Sequence, residues 1–152
     1  MDMFSISALT PSLPLLFLIS FLAASVLPIG SEWLLILMIV KGFAVPSTVA
    51  TASIGNYLGA CTTYLLGIWG SDFCRRKILR MNRASLEKAD RYYRKYGILS
   101  LLLSWLPIIG DPLCFLAGTF RVHFAAFSLL VFIGKFCRYA TLAFLTLYGS
   151  GE

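Results

Sequence analysis

Four long apolar stretches make up most of this chain, and their lengths restrict what it can fold into. A helix needs about 20 apolar residues to cross the hydrocarbon core of a bilayer. The stretches at 46–69 and 121–148 are long enough to cross. The stretches at 13–40 and 98–120 are each interrupted by proline, glycine and an acidic residue, so neither is predicted to cross as one straight helix.

The composition supports a membrane protein. Hydrophobic residues form 59% of the 152 residues and charged residues only 13%, which is about half the charged share of a typical globular protein. So few charges could not cover the surface of a soluble domain, and we therefore predict an all-α integral membrane protein. This excludes a soluble enzyme, a disordered regulator and a secreted disulfide scaffold.

Neither catalytic nor metal-binding chemistry is indicated by the residue inventory. One histidine and a few acids outside 71–97 offer no catalytic dyad or triad. We therefore predict that the protein is not an enzyme and takes no cofactor. The cysteines have no metal-ligand spacing and suggest no disulfide framework; they are Cys61, Cys74, Cys114 and Cys137.

A basic segment at 71–97 contains 12 of the 20 charged residues, nine of them Lys or Arg. Short basic segments beside membrane helices stay in the cytoplasm. We predict a cytoplasmic amphipathic helix over 83–96 that lies against anionic headgroups, and no nucleic-acid binding. Residues 1–10 have no basic residue before the first apolar stretch, which argues against a cleaved signal peptide.

The two interrupted stretches resemble each other. Residues 25–32 (Ser-Val-Leu-Pro-Ile-Gly-Ser-Glu) align without gaps on 104–111 (Ser-Trp-Leu-Pro-Ile-Ile-Gly-Asp), 79 positions later. Each interruption leaves arms too short to cross, which predicts a re-entrant helical hairpin with a turn shielded by protein. One crossing helix separates the hairpins, so they enter from opposite faces as an inverted repeat. The alternative is chance similarity between two apolar sequences.

The predicted organisation is a single membrane domain at 1–149. Its parts are re-entrant hairpin 1 at 11–40, a transmembrane helix at 46–70, the basic cytoplasmic segment at 71–97, re-entrant hairpin 2 at 98–120 and a transmembrane helix at 121–148. Residues 149–152 are a tail or an expression remnant. Small residues recur every four positions on one face of the first transmembrane helix, which predicts close packing within the protomer or in a homodimer; they are Ser47, Thr51, Gly55, Gly59, Thr63 and Gly67.

Lys135 and Arg138 lie near the centre of the second predicted transmembrane helix, three residues apart and so on one face. Each costs about 3 kcal/mol at that depth without compensation. The available partners are Glu32 and Asp111, one from each hairpin turn, and the four charges sum to zero. Two interpretations stay open. One is a structural ion-pair cluster, and the other is a binding site for an anionic headgroup, because Lys and Arg suit a phosphate.

The residues after each turn predict helix starts. Ser31 is an N-cap candidate before Glu32, and Asp111-Pro112 has the pattern of an N-cap followed by proline at the first helical position. Both second arms would then direct their positive N-termini towards the protein centre. Asn56 lies beside the small-residue face and is a candidate either to cap a hairpin or to touch the substrate.

Four blocks of sequence carry a family resemblance over about residues 20–139. They are Pro28-x-x-x-Glu32, the glycine-rich helix at 55–67, the block Ser-Trp-Leu-Pro-Ile-Ile-Gly-Asp-Pro-Leu at 104–113 with Ala117-Gly118, and Gly134-Lys135-x-x-Arg138-Tyr139. Together they resemble the DedA (VTT-domain) membrane family, specifically its YqaA branch. The resemblance implies two facing re-entrant hairpins, a location in the bacterial inner membrane and a role in moving lipids across bilayers. Bacterial members are linked to undecaprenyl-phosphate or phospholipid translocation, and eukaryotic relatives act as scramblases.

The chain departs from the broader family at charged positions. Ala60 stands where the family carries an aspartate, with Asn56 one turn earlier, and Ser104 and Gly110 stand where it carries two arginines. Of that charged set only Glu32 matches directly. The candidate substrate-binding residues are Glu32, Asp111, Lys135, Arg138, Asn56 and Ser104.

These observations predict a multi-pass lipid translocase or scramblase that moves an anionic, phosphate-bearing headgroup through a site at the membrane midplane. The expected partners are a membrane phospholipid or a polyprenyl phosphate, with protons as a candidate coupling ion and a homodimer as a candidate assembly. Two other functions remain open: a proton-coupled transporter of a small soluble ion, and a membrane assembly factor without transport.

Overall fold

The computed structural model describes residues 11–25, 30–70, 87, 91, 93–106 and 109–149. This part of the chain is all-helical and contains no strand, as predicted. The helices are α1 (Leu13–Ser25), α2 (Glu32–Val40), α3 (Val45–Trp69), the composite helix α4, α5 (Gly110–Thr119) and α6 (Phe124–Gly149). In α4 a π-helix (Tyr93–Gly97), a short α-helix (Ile98–Ser100) and a 3-10 helix (Leu101–Trp105) follow one another.

The bounds of α3 (Val45–Trp69) and α6 (Phe124–Gly149) lie within three residues of the apolar stretches at 46–69 and 121–148. Each interrupted stretch is divided into two short helices, and each pair is followed by a long one. α4 runs without a break across residue 97, so the last residues of the basic segment and the first residues of the apolar stretch at 98–120 form one helix. The turn residues Pro28 and Pro107, and most of the basic segment with its predicted amphipathic helix, lie outside the described residues.

Among the described helices, α6 has the length and apolarity needed to cross a membrane, with 26 residues. It corresponds to the second predicted transmembrane helix. α3 has 25 residues and matches the first in length, but its glycines and hydroxyl side chains make it less apolar than α6.

The long helices α3 and α6 organise the packing. α1 and α5 pack on α3, whereas α2 and the 3-10 part of α4 pack on α6, and α3 and α6 also contact each other. The first arm of each pair therefore packs on the long helix that follows it. The second arm of each pair packs mainly on the long helix of the other pair.

Among the residues that the structure describes, two apolar clusters form the interior, and both include residues of α6. One joins α1, α2 and the first half of α3 to Tyr139 and Ala143. The other joins α4, α5 and the second half of α3 to Phe127 and Val131. Along α6, Lys135 lies between the residues that belong to the two clusters.

The turns that follow α2 and α5 have the same backbone geometry, 79 positions apart. Both helices end in a Schellman motif, in which the chain reverses through a residue with positive φ. These residues are Gly42, with φ of 87°, and Arg121, with φ of 50°. The corresponding hydrogen bonds run from Phe43 N–H to the Met38 carbonyl (3.0 Å) and from Val122 N–H to the Ala117 carbonyl (2.9 Å). The long helices begin at Val45 and Phe124, again 79 positions apart.

Glycines allow α3 to approach its neighbours closely. A Cβ at Gly67 would overlap with the Phe115 carbonyl of α5, and a Cβ at Gly55 would lie 2.6 Å from the Phe17 carbonyl of α1. The predicted packing face is therefore confirmed within the protomer from Gly55 onwards. At its start Ser47 is exposed, because the chain enters α3 there beyond the reach of α1.

Candidate functional site

Lys135 is the most deeply buried charge of the described residues, with 3% of its surface exposed. Its Nζ donates a hydrogen bond to Asn56 Oδ1 on α3 and lies 3.6 Å from Asp111 Oδ1 on α5. Asn56 Nδ2 in turn donates to the Ser20 carbonyl of α1 (3.1 Å). A buried ammonium group is tolerated only with such compensation. Together these contacts join four helices around one charge: α1, α3, α5 and α6.

Arg138 forms the second ion pair. Its Nη2 contacts Glu32 Oε1 at the first residue of α2. The cation of this pair is the more open of the two, because 16% of the Arg138 side chain is exposed against 4% of Lys135. The acids differ in the other direction, with 23% of the Glu32 side chain and 31% of the Asp111 side chain exposed. The two cations on one face of α6 thus contact different short helices: Lys135 contacts α5, and Arg138 contacts α2.

Beside the second pair, Ser31 and Tyr139 form a buried hydrogen bond of 2.5 Å between their hydroxyl groups. Ser31 occupies the N-cap position of α2, as predicted, but its hydroxyl caps no backbone N–H. The Ser31 hydroxyl forms its hydrogen bond with the Tyr139 hydroxyl instead. No sequence pattern predicted this contact, although both residues adjoin predicted site residues and Tyr139 ends the Gly-Lys-x-x-Arg-Tyr block.

The prediction that Asp111 caps α5 is wrong. The Gly110 N–H already donates to the Leu106 carbonyl (2.9 Å), so the helix begins at Gly110 and Asp111 lies in its first turn. This position leaves the carboxylate available to Lys135.

An open groove of about 570 Å³ lies beside the Glu32–Arg138 pair. Its lining is largely apolar and comes from α2, α4 and α6: Glu32, Leu102, Ile133, Gly134, Cys137, Arg138, Thr141 and Leu142. Lys135, Asn56 and Asp111 do not line it. Of the two ion pairs, Glu32–Arg138 is therefore the one that lines this groove.

Ser104 does not join either ion pair. It is buried, its hydroxyl has no hydrogen-bond partner among the described residues, and its backbone packs against Gly110 at the start of α5. The structure thus brings five of the six predicted site residues together around the two cations of α6, with Asp111 and Asn56 at Lys135 and Glu32 at Arg138. Ser104 lies apart from them, in the packing between α4 and α5. The groove residues Leu102 and Thr141 carried no sequence signal, because ordinary apolar and hydroxyl side chains occur throughout the membrane segments.

The family model of the VTT domain matches residues 4–148, nearly the whole chain. The chain belongs to the VTT-domain (DedA) family. "Inner membrane protein YqaA" of Escherichia coli is 40% identical over 135 residues, which cover 88% of this chain and 90% of that protein. An "Uncharacterized protein" of Haemophilus influenzae is 36% identical over 143 residues, covering 89% and 87%. "Uncharacterized protein MJ0201" of Methanocaldococcus jannaschii is 27% identical over 121 residues, covering 78% and 66%. No solved structure matches the chain.

The VTT-domain match confirms the resemblance that the sequence blocks indicated. The match includes both ion pairs and the groove, since the groove-lining residues all lie between 32 and 142. The site is therefore part of the family's domain in this chain.

Proposed function

We propose that this VTT-domain protein is a lipid translocase or scramblase of the bacterial inner membrane that moves an anionic, phosphate-bearing lipid. The observation that carries the proposal is the groove, in which one ion pair, Glu32–Arg138, lies within a largely apolar lining. A lipid has the matching chemistry, because its phosphate can pair with a guanidinium while its chains lie against apolar side chains. The related inner membrane protein of Escherichia coli supports the location.

Arg138 is the cation that a headgroup could reach. It lines the groove, and a phosphate that displaces Glu32 can accept two parallel hydrogen bonds from the guanidinium. Lys135 does not line the groove, and its buried ammonium group contacts Asn56 and Asp111 instead. Of the two interpretations left open by the sequence, binding fits Arg138 and a structural role fits Lys135.

We also propose that the two helix pairs are re-entrant hairpins related by an inverted repeat, in a multi-pass protein. Three observations support it. The arms α2 (Glu32–Val40) and α5 (Gly110–Thr119) have 9 and 10 residues, whereas about 20 are needed to cross. The turns after α2 and α5 repeat one geometry at the 79-residue offset of the sequence repeat. The second arm of each pair also packs mainly on the long helix of the other pair: α2 on α6, and α5 on α3.

A proton-coupled transporter of a small soluble ion fits this groove less well. Among the described lining side chains, only Cys137 and Thr141 offer polar atoms besides the ion pair, and a bare ion needs more ligands than these to replace its water. The largely apolar lining of the groove favours a ligand with hydrocarbon chains.

Transport in vesicles tests the proposal. The protein is reconstituted with fluorescent phosphatidylglycerol or with a polyprenyl phosphate, and the lipid that reaches the other leaflet is measured. We expect transport by the wild type and a loss of about tenfold or more in Arg138→Gln, the scale of one lost charge-assisted contact. Arg121→Gln, which changes an exposed arginine outside the groove, is the matched control and should transport normally. A wild type that moves neither lipid, or an Arg138→Gln variant as fast as the wild type, would contradict the proposal.

A further inference from the structure

We infer that Tyr139 is a positioning residue for lipid release: through Ser31 it holds the start of α2, so that Glu32 returns to Arg138 and displaces the bound headgroup. This inference rests on the proposed function. It gives a role to a buried hydrogen bond that headgroup binding itself does not use.

Two adjacent side-chain contacts join the start of α2 to one turn of α6. Ser31 and Glu32 are consecutive at the start of α2, and Arg138 and Tyr139 are consecutive on α6. Ser31 bonds Tyr139, and Glu32 pairs with Arg138. The start of α2 is therefore held to α6 by two side-chain contacts one residue apart.

The two contacts differ in their access to the groove. Ser31 and Tyr139 are each only 1% exposed, and the Tyr139 ring belongs to the apolar cluster that contains Leu34 and Leu35 of α2. The Glu32–Arg138 pair lines the groove. A phosphate can thus separate Glu32 from Arg138 while the bond between Ser31 and Tyr139 stays closed.

The closed bond keeps the displaced carboxylate near its cation. A group tethered beside its partner competes at a high effective concentration, so Glu32 competes continuously with the bound phosphate. We expect this competition to weaken headgroup binding and to speed headgroup release. Loss of the tether should therefore raise affinity and slow transport, whereas general damage to the site would lower both.

Tyr139→Phe is the test variant, because it keeps the buried ring and removes only the hydroxyl. Binding of fluorescent phosphatidylglycerol in detergent micelles and its movement in vesicles are measured together. We expect the Kd to fall about fivefold, the scale of one ordinary hydrogen bond, and the transport rate to fall as well. Ser31→Ala should act in the same way. The double variant should have the same Kd as either single variant, because both substitutions remove the same hydrogen bond.

Tyr64→Phe is the matched control. Tyr64 is also buried, and its hydroxyl donates to the Val122 carbonyl (2.6 Å) far from Glu32 in the chain. Its loss should lower thermal stability and leave the Kd for phosphatidylglycerol unchanged.

The outcomes separate the two proposals. If the wild type neither binds nor moves phosphatidylglycerol or polyprenyl phosphate, the proposed function fails and the positioning role fails with it. If the wild type binds and moves lipid but Tyr139→Phe leaves the Kd unchanged or raises it, only the positioning role is overturned. A lower Kd with slower transport, shared by Ser31→Ala and absent from Tyr64→Phe, supports it.

Discussion

Lys135 shows at the scale of one residue how this chain holds a charge inside an apolar interior. The ammonium group contacts an amide on α3 and a carboxylate on α5, and the amide reaches on to α1. Burial of the charge is therefore compensated by three helices at once. The same contacts predict that Asp111 and Asn56 depend on Lys135, because its loss would leave their buried oxygens without a cation.

The first prediction concerns this dependence. Lys135→Met should lower the free energy of unfolding in detergent by about 3 kcal/mol, because it leaves the Asp111 charge and the Asn56 oxygen without their cation. Lys135→Met with Asp111→Leu should recover part of that loss, because no unpaired charge remains. Lys41→Met, at an exposed lysine, is the control. A single variant as stable as the wild type would show that the pair contributes nothing.

Arg121 is a second informative residue, since it takes the left-handed conformation that Gly42 takes in the related turn. A side chain in that conformation costs about 1–2 kcal/mol, which glycine avoids. The turn after α5 therefore has the geometry of the turn after α2, but it has arginine at the position that best suits glycine.

The second prediction follows from that strain. Arg121→Gly should raise the thermal stability of the protein, by about 1 kcal/mol in unfolding free energy, because the exposed side chain makes little contribution to set against the strain. Gly42→Ala should have the opposite effect at the equivalent position. Thermal unfolding in detergent measures both. Equal or lower stability of Arg121→Gly would mean that the arginine makes a compensating contact.

At the scale of elements, the crossing of α3 and α5 depends on glycine. Gly67 and Gly118 face each other, so that a Cβ on Gly118 would overlap with the Tyr64 carbonyl and one on Gly67 with the Phe115 carbonyl. Thr119 Oγ1 also lies 3.4 Å from the Gly67 carbonyl as a donor. This crossing holds α5 at the depth where Asp111 meets Lys135.

The third prediction tests this crossing. Gly67→Ala should destabilise the protein by about 2 kcal/mol, because a methyl group against backbone atoms forces the two helices apart. Gly149→Ala, with open space around the added carbon, should be neutral. Chemical or thermal unfolding of both variants provides the comparison, and a neutral Gly67→Ala would show that α5 can shift at little expense.

At the scale of the whole molecule, the described residues show the same order of elements twice. Each half contributes two short helices, a turn with positive φ and a long helix. Each half also contributes one acid, Glu32 or Asp111, and α6 supplies the cation for both. In the proposed inverted repeat, the two turns after α2 and α5 lie on opposite faces of the membrane.

The fourth prediction is this topology. In a cysteine-free background, Lys41→Cys and Arg121→Cys place one exposed thiol in each turn. A membrane-impermeant thiol reagent should label residue 41 in intact cells and residue 121 only in inverted vesicles, because the basic segment before α4 stays in the cytoplasm. Labelling of both residues from the same side would exclude the inverted repeat.

The sequence alone determined the features that follow from local chemistry. Proline, glycine and acidic residues interrupt two apolar stretches. Among the described residues, α2 starts at Glu32 and α5 at Gly110, so these two helix starts could be predicted to within a few residues. The spacing of Lys135 and Arg138 placed both cations on one helix face, and charge balance identified Glu32 and Asp111 as their partners. The sequence blocks were also sufficient by themselves to indicate the VTT-domain family.

Only the tertiary structure decided which acid pairs with which cation and which pair faces the groove. Those choices depend on how α2 and α5 pack against α6, a long-range arrangement that no local pattern encodes. Ser31 could be predicted at a helix start, but Tyr139, 108 positions away, takes its hydroxyl. Asp111 could be predicted near the turn, but the start of α5 at Gly110 directs its carboxylate to Lys135. A side chain's partner depends on what the fold brings within hydrogen-bond distance, and for these residues that comes from remote parts of the chain.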